Sequence, residues 1–177
     1  MVPSQPLSGG EGSETARARL QERRGSLPYI WVSVLVVALD QLSKAVINHS
    51  LQLYQSIQLL PVLDITRVYN RGAAFSFLGA ASGWQRWLFS ALALVVSAGV
   101  VLWMQRVDRR ARLLASGLAL ILGGAIGNLV DRLRVGHVVD FVAAHWGPHY
   151  FPAFNVADSA ITIGACLLLL DAWLEPR

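Results

Sequence analysis

The chain has 177 residues, 54% of them hydrophobic and only 15% charged, with a mean hydropathy of +0.47. That balance excludes an ordinary soluble domain and defines a membrane protein. The formal charge of +4 comes from arginines gathered in connecting segments rather than from a basic, aromatic-studded groove, which argues against nucleic-acid binding. A single cysteine, Cys166, leaves no intramolecular disulfide or thiolate metal cluster to build, and its apolar setting reads as that of a small buried residue.

In chain order, residues 1–27 are polar, rich in Gly, Ser, Glu and Arg, and read as a disordered arm preceding a membrane domain at 28–175. The first apolar stretch, about 29–47, is too long for the core of a secretory signal and lacks a small-residue cleavage site, so it reads as an anchor. Further spans are expected at about 87–104, 113–130 and 156–174, giving four transmembrane helices. Between the first two, residues 57–69 are rich in β-branched and aromatic types with partial alternation, which predicts strands of a small sheet. Residues 137–153 mix Val-Val-Asp-Phe with Trp146, Tyr150 and Phe151 and are expected to lie as an interfacial segment in the headgroup region.

Arg17, Arg19, Arg23 and Arg24 precede the first span, Arg106, Arg109, Arg110 and Arg112 separate the second from the third, and Arg177 ends the chain. The positive-inside rule puts these segments, and both termini, in the cytoplasm. The 48–83 and 132–153 connections then face outward, and the sheet is extracytoplasmic. Trp84, Trp87 and Trp146 fall near the outer interface and Trp31, Trp103 and Trp173 near the inner one, as two aromatic belts.

Two aspartates stand out against this apolar background, Asp140 in His-Val-Val-Asp-Phe and Asp158 in Phe-Asn-Val-Ala-Asp. An ionisable group at membrane depth is costly to desolvate, and two of them suggest a pair sharing one proton. Asp158 also lies three residues after Asn155, where helix capping alone is a competing explanation. Asp40 and Lys44, the only lysine, are spaced for an i, i+4 ion pair at the outer end of the first helix, and a structural bridge and a substrate contact suit that spacing equally. Asn128, Asp131 and Arg132 fall on one face of the third helix, where an Asp131–Arg132 neighbourhood would neutralise charge at the helix end. Gly123 and Gly127 there allow a close helix contact. Asn-Arg-Gly-Ala-Ala-Phe at 70–75 combines a polar pair with small residues and suits either a peptide contact or a tight turn.

Three other classes are weighed against the proton-sharing pair. A transporter needs a polar path across the bilayer, whereas here the third span is uncharged from Leu113 to Val130 and the ionisable groups gather at one end. A metalloprotease needs a ligand set, and His145 with His149 gives only an i, i+4 pair in a Pro-Gly loop. Ser159 lacks the glycine setting of a nucleophilic serine and an identifiable base.

Taken together, Asp-Gln-Leu-Ser-Lys (40–44), Asn-Arg-Gly-Ala-Ala-Phe (70–75), Gly-Gly-Ala-Ile-Gly-Asn-Leu-Val-Asp-Arg (123–132), Val-Val-Asp-Phe (138–141) and Phe-Asn-Val-Ala-Asp (154–158) resemble, in this order, the motif set of the bacterial lipoprotein signal peptidases, also called signal peptidase II. The resemblance spans roughly residues 28–175. It implies a cytoplasmic (inner) membrane aspartic endopeptidase that cuts lipid-modified prolipoproteins on the amino side of the diacylglyceryl-cysteine, without a cofactor or metal. By motif, Asp140 and Asp158 are then the catalytic pair. Asn70, Asn128, Arg132 and Asn155 take substrate-binding or ordering positions, and Asp40 and Lys44 shape the site. Ser43 stands where the family more often has Thr, which keeps the hydroxyl. Since one chain holds every motif, a monomer is expected, with membrane lipids and prolipoproteins as its partners and an active site at the outer face.

Overall fold

The computed structural model of the protein describes residues 25–72 and 83–174. Residues 1–24 of the arm and Ala73, Ala74 and Phe75 of the Asn-Arg-Gly-Ala-Ala-Phe motif lie outside the described residues. Four helices long and apolar enough to cross a membrane are present among the described residues: α1 (Ile30–Ser50, preceded by a 3₁₀ turn at Leu27–Tyr29), α2 (Trp84–Met104), α3 (Arg112–Val135) and α4 (Val156–Leu174). The strands are β1 (Ser56–Leu60), β2 (Leu63–Asn70), β3 (Val138–Trp146) and β4 (His149–Tyr150), in one antiparallel sheet of order β1-β2-β3-β4.

The bundle is organised around α3, which packs against each of the other three helices. Of its apolar span 67% is buried within the protein, against 17–22% of the others. The difference follows from side-chain size. A Cβ at Gly123 would stand 2.7 Å from the Val36 Cβ, and one at Gly127 would stand 2.8 Å from an Asp40 carboxylate oxygen. Only glycine lets α1 approach α3 that closely, as the spacing of the two predicts. α3 ends at Gly136, whose φ of 82° is the left-handed conformation that stops helices. The other helices present leucine, valine and tryptophan outward, Leu92, Val95, Leu169 and five of the six tryptophans among them, a surface that suits lipid rather than water. Cys166 is exposed on α4, not buried as its setting suggests, because lipid is an apolar environment in its own right.

Away from the sheet, Met104, Val107, Leu114 and Leu118 form an apolar cluster between α2 and α3. Ser26 closes this end, its backbone N–H and its hydroxyl both donating to the Met104 carbonyl (2.9 and 3.0 Å).

The sheet corrects one expectation in detail. The first part of 137–153, expected as an interfacial segment without regular structure assigned, is β3, the strand that β2 and β4 flank. Val138, Val139, Asp140 and Phe141 are buried in succession, so the strand is covered on both faces there and shows no alternation. His145 and His149 are likewise not loop residues, since they stand on β3 and β4 on either side of the turn at Gly147, with His145 opposite Tyr150. The register of β2 on β3 sets Asn70 opposite Val138 and Val68 opposite Asp140.

Candidate active site

Asp140 and Asp158 reach one cavity from different elements, Asp140 from buried β3 and Asp158 from the first turn of α4. The cavity encloses about 690 Å³ and is lined at its polar end by Asn70, Asn128, Arg132 and both aspartates, and elsewhere by Phe151, Phe154, Ile161 and Ile163. Asn155 joins the two carboxyl groups. Its amide Nδ2 donates to Asp140 Oδ1 (2.7 Å), and its side-chain oxygen accepts from the Asp158 backbone N–H (2.9 Å), while its own backbone N–H donates to Asp158 Oδ2 (3.3 Å). The last two bonds form a reciprocal cap of α4. Capping and a place on the cavity wall are therefore both true of Asp158.

Every remaining contact to the pair comes from a neutral amide. Asn70 Nδ2 donates to Asp140 Oδ2 (3.0 Å), and Asn128 Nδ2 donates to Asp158 Oδ1 (2.7 Å). Arg132 lines the same cavity but spends its guanidinium on the Gly72 carbonyl (3.3 Å), its own helix at Asn128 (3.5 Å) and the Phe89 ring, 5.4 Å away. The Asp140 carboxyl is pushed up to about 7 from its ordinary 3.8, first by burial and then by the Asp158 charge, with the bonds from Asn70 and Asn155 opposing.

Beside this pair lies a second polar cluster. Lys44 Nζ sits 2.7 Å from Asp40, 2.9 Å from Asp131 and 3.1 Å from Asn128 Oδ1. Lys44 and Asp40 are almost fully buried. The Asp40–Lys44 spacing thus forms an ion pair, and it points inward. Asp131 does not neutralise Arg132: it turns toward α1, and Gln41 Nε2 donates to it (2.9 Å) as well as to Asp40 (3.2 Å). Each acid of this cluster also holds a backbone N–H next to a member of the first pair. Asp40 Oδ1 accepts from Ala157 N–H (3.0 Å), and Asp131 Oδ2 accepts from Val139 N–H (3.2 Å). Asp40 and Lys44 do not line the cavity; Asp40 acts on it through the main chain and Lys44 through the Asn128 side chain. Gln41 is the residue that sequence reasoning passed over, although its place inside Asp-Gln-Leu-Ser-Lys was a signal. A neutral amide at a helix end reveals its partners only once α1 and α3 are packed.

Four membrane-spanning helices with a small sheet over a carboxylate-lined cavity place the protein among integral membrane enzymes. Two solved structures described as bacterial membrane enzymes, determined by the in meso method, superpose with TM-scores of 0.76 and 0.74 at 29% and 30% identity, over 85% of this chain and 90% and 94% of theirs. Residues 32–174 match the family model described as Signal peptidase (SPase) II. The lipoprotein signal peptidases of Pseudomonas aeruginosa strain PAO1 and Pseudomonas putida strain KT2440 are each 56% identical, over 158 and 157 residues, covering 88% of this chain and 94% and 92% of their own. The chain belongs to the signal peptidase II family of aspartic proteases, and is a multi-pass bacterial inner-membrane protein.

Proposed function

We propose that this chain removes the signal peptide from diacylglyceryl-modified prolipoproteins, cleaving on the amino side of the lipidated cysteine, with Asp140 and Asp158 as its acid–base pair. The observation that carries the reading is the single residue Asn155, hydrogen-bonded to both carboxyl groups on the wall of one cavity. Asp140 is the protonated member, since burial raises its carboxyl. Asp158 is the ionised one, because it stands in the first turn of α4, at the positive end of the helix. Asp158 takes a proton from water as the water oxygen attacks the scissile carbonyl, and Asp140 donates to the carbonyl oxygen, giving a tetrahedral diol. Return of a proton to the departing amine breaks the C–N bond. General acid–base steps of this kind contribute about 10²–10⁴-fold each.

Asn70, Asn128 and Asn155 orient the carboxyl groups, Arg132 and the Gly72 carbonyl are placed to meet the peptide backbone, and Asp40 and Lys44 hold the frame. The apolar wall of Phe151, Phe154, Ile161 and Ile163 suits the lipid chains and the signal peptide. The arginine distribution puts both termini in the cytoplasm and the cavity at the outer face, with residues 28–175 as the peptidase domain and 1–27 as an arm. A monomer carries the whole site, since all these residues come from one chain.

The test is cleavage of a diacylglyceryl-modified prolipoprotein by the purified protein in detergent, with Asp140→Asn and Asp158→Asn checked for unchanged folding. Loss of cleavage in both, insensitive to chelator, is expected. Normal cleavage by both variants would reduce the two aspartates to a cap and a buried acid and end the dyad assignment.

A further inference from the structure

A second cavity, of about 300 Å³, shares no described lining residue with the first. Its walls are Arg71, Arg86, His137, Gln85, Trp87 and the glycine turns at Gly83 and Gly136. Among the described residues no carboxylate lines it and neither arginine has an acid within ion-pair distance. Arg86 Nη2 donates to the Leu133 carbonyl (2.7 Å), which fixes the guanidinium over the Trp87 ring at 5.0 Å, yet its Nε–H is buried and has no acceptor. A buried donor left unmatched on a cation is expensive. The cavity also opens at the first turn of the 21-residue α2, where backbone N–H groups favour negative charge. Trp84 and Trp87 stand exposed at this helix start, as residues of a membrane–water interface do. The volume is about ten times the ~30 Å³ that a water molecule occupies in the liquid, enough for a tetrahedral oxyanion with substituents.

We infer that this cavity binds a phosphate oxyanion, supplied by the headgroup of a bilayer phospholipid, through Arg71 and Arg86. The phosphate places two cations on one anion, while the acyl chains run along the lipid-facing side of α2. His137, held below its ordinary value first by burial and then by Arg71, is neutral there and serves as a hydrogen-bonding wall rather than a third charge. The site is independent of peptide cleavage.

The experiment is native mass spectrometry of the purified full chain with phosphatidylglycerol, with diacylglycerol of the same acyl chains, and with inorganic phosphate as competitor. The wild type is expected to retain phosphatidylglycerol over diacylglycerol. Arg71→Gln and Arg86→Gln are each expected to cut that retention about tenfold, the factor for one charge-assisted hydrogen bond. Arg71 is exposed, so its variant reads the site even where Arg86→Gln disturbs the α2–α3 packing. Displacement by millimolar inorganic phosphate would support the oxyanion site with the free ion as its source, and persistence would support the lipid. Equal retention of both lipids by the wild type, or unchanged retention by the Arg71→Gln protein, overturns the proposal.

Discussion

Two pairs of acids stand side by side at one end of this bundle, and they are solved in opposite ways. Asp40 and Asp131 share the ammonium of Lys44, whereas Asp140 and Asp158 are met by amides alone, with Arg132 committed to carbonyls and a ring. A cation among buried acids offsets their charge and fixes them; amides orient the other pair but leave its charge uncompensated, so one member holds its proton. Asn128 is the partition between the two, accepting from Lys44 on one side and donating to Asp158 on the other. The first cluster is thus suited to structure and the second to proton transfer.

The sharpest way to break this contrast is Lys44→Met. It leaves two buried carboxylates without their cation and is expected to cost about 3–5 kcal/mol of stability, read as a lowered unfolding temperature in detergent. Adding Asp40→Asn and Asp131→Asn should recover much of it; an unaltered melting point in the single variant would show that Lys44 is not the hub.

Asn155→Ala removes the helix cap and the donor to Asp140, and should cost about 1–2 kcal/mol together with roughly 10²-fold in cleavage rate from misalignment. Asn155→Asp refines the test: it keeps the cap oxygen but replaces the amide donor, so it should melt nearer to wild type and still cleave poorly. Near-normal cleavage by Asn155→Asp beside a loss in Asn155→Ala would assign Asn155 to capping alone.

The mildest probe is pH. The Asp140 carboxyl lies near 7 in the folded protein against an ordinary 3.8, so folding favours its protonated form. Its contribution to stability is complete below about pH 4 and is lost as pH rises through about 7. Cleavage should fall about tenfold per pH unit above that point as the acid is lost. In thermal unfolding, Asp140→Asn should flatten the pH dependence of the melting temperature. A wild-type melting point that climbs steadily between pH 5 and 8 would contradict the assignment of Asp140 as the raised member.

Much of this was legible in the sequence because a bilayer forbids idle charge. Asp140, Asp158 and the Asp40–Lys44 spacing stand out where everything around them is apolar, and the four spans announce themselves by length. β3 was not legible as a strand, since burial on both faces at Val138–Phe141 erased the alternation that marks a half-buried one. Nor was the direction of Asp131. Positions i+3 and i+4 from Asn128 share a helix face only loosely, and the approach of α1 at Gly127 draws Asp131 toward Lys44 while Arg132 stays on the cavity.

The paired anchoring of Ala157 by Asp40 and of Val139 by Asp131 has a consequence for motion. β3 and α4 are separate elements, a strand and a helix, that meet the cavity from different directions, yet both are tethered to one ammonium on α1, a helix that contributes nothing to the described cavity wall. Displacements of the two elements are therefore correlated through a common origin, and the gap between the two carboxyl groups fluctuates less than the position of either. α1 serves as the reference bar of a calliper, keeping the jaws in register while lipids and peptide chains jostle the rest of the protein.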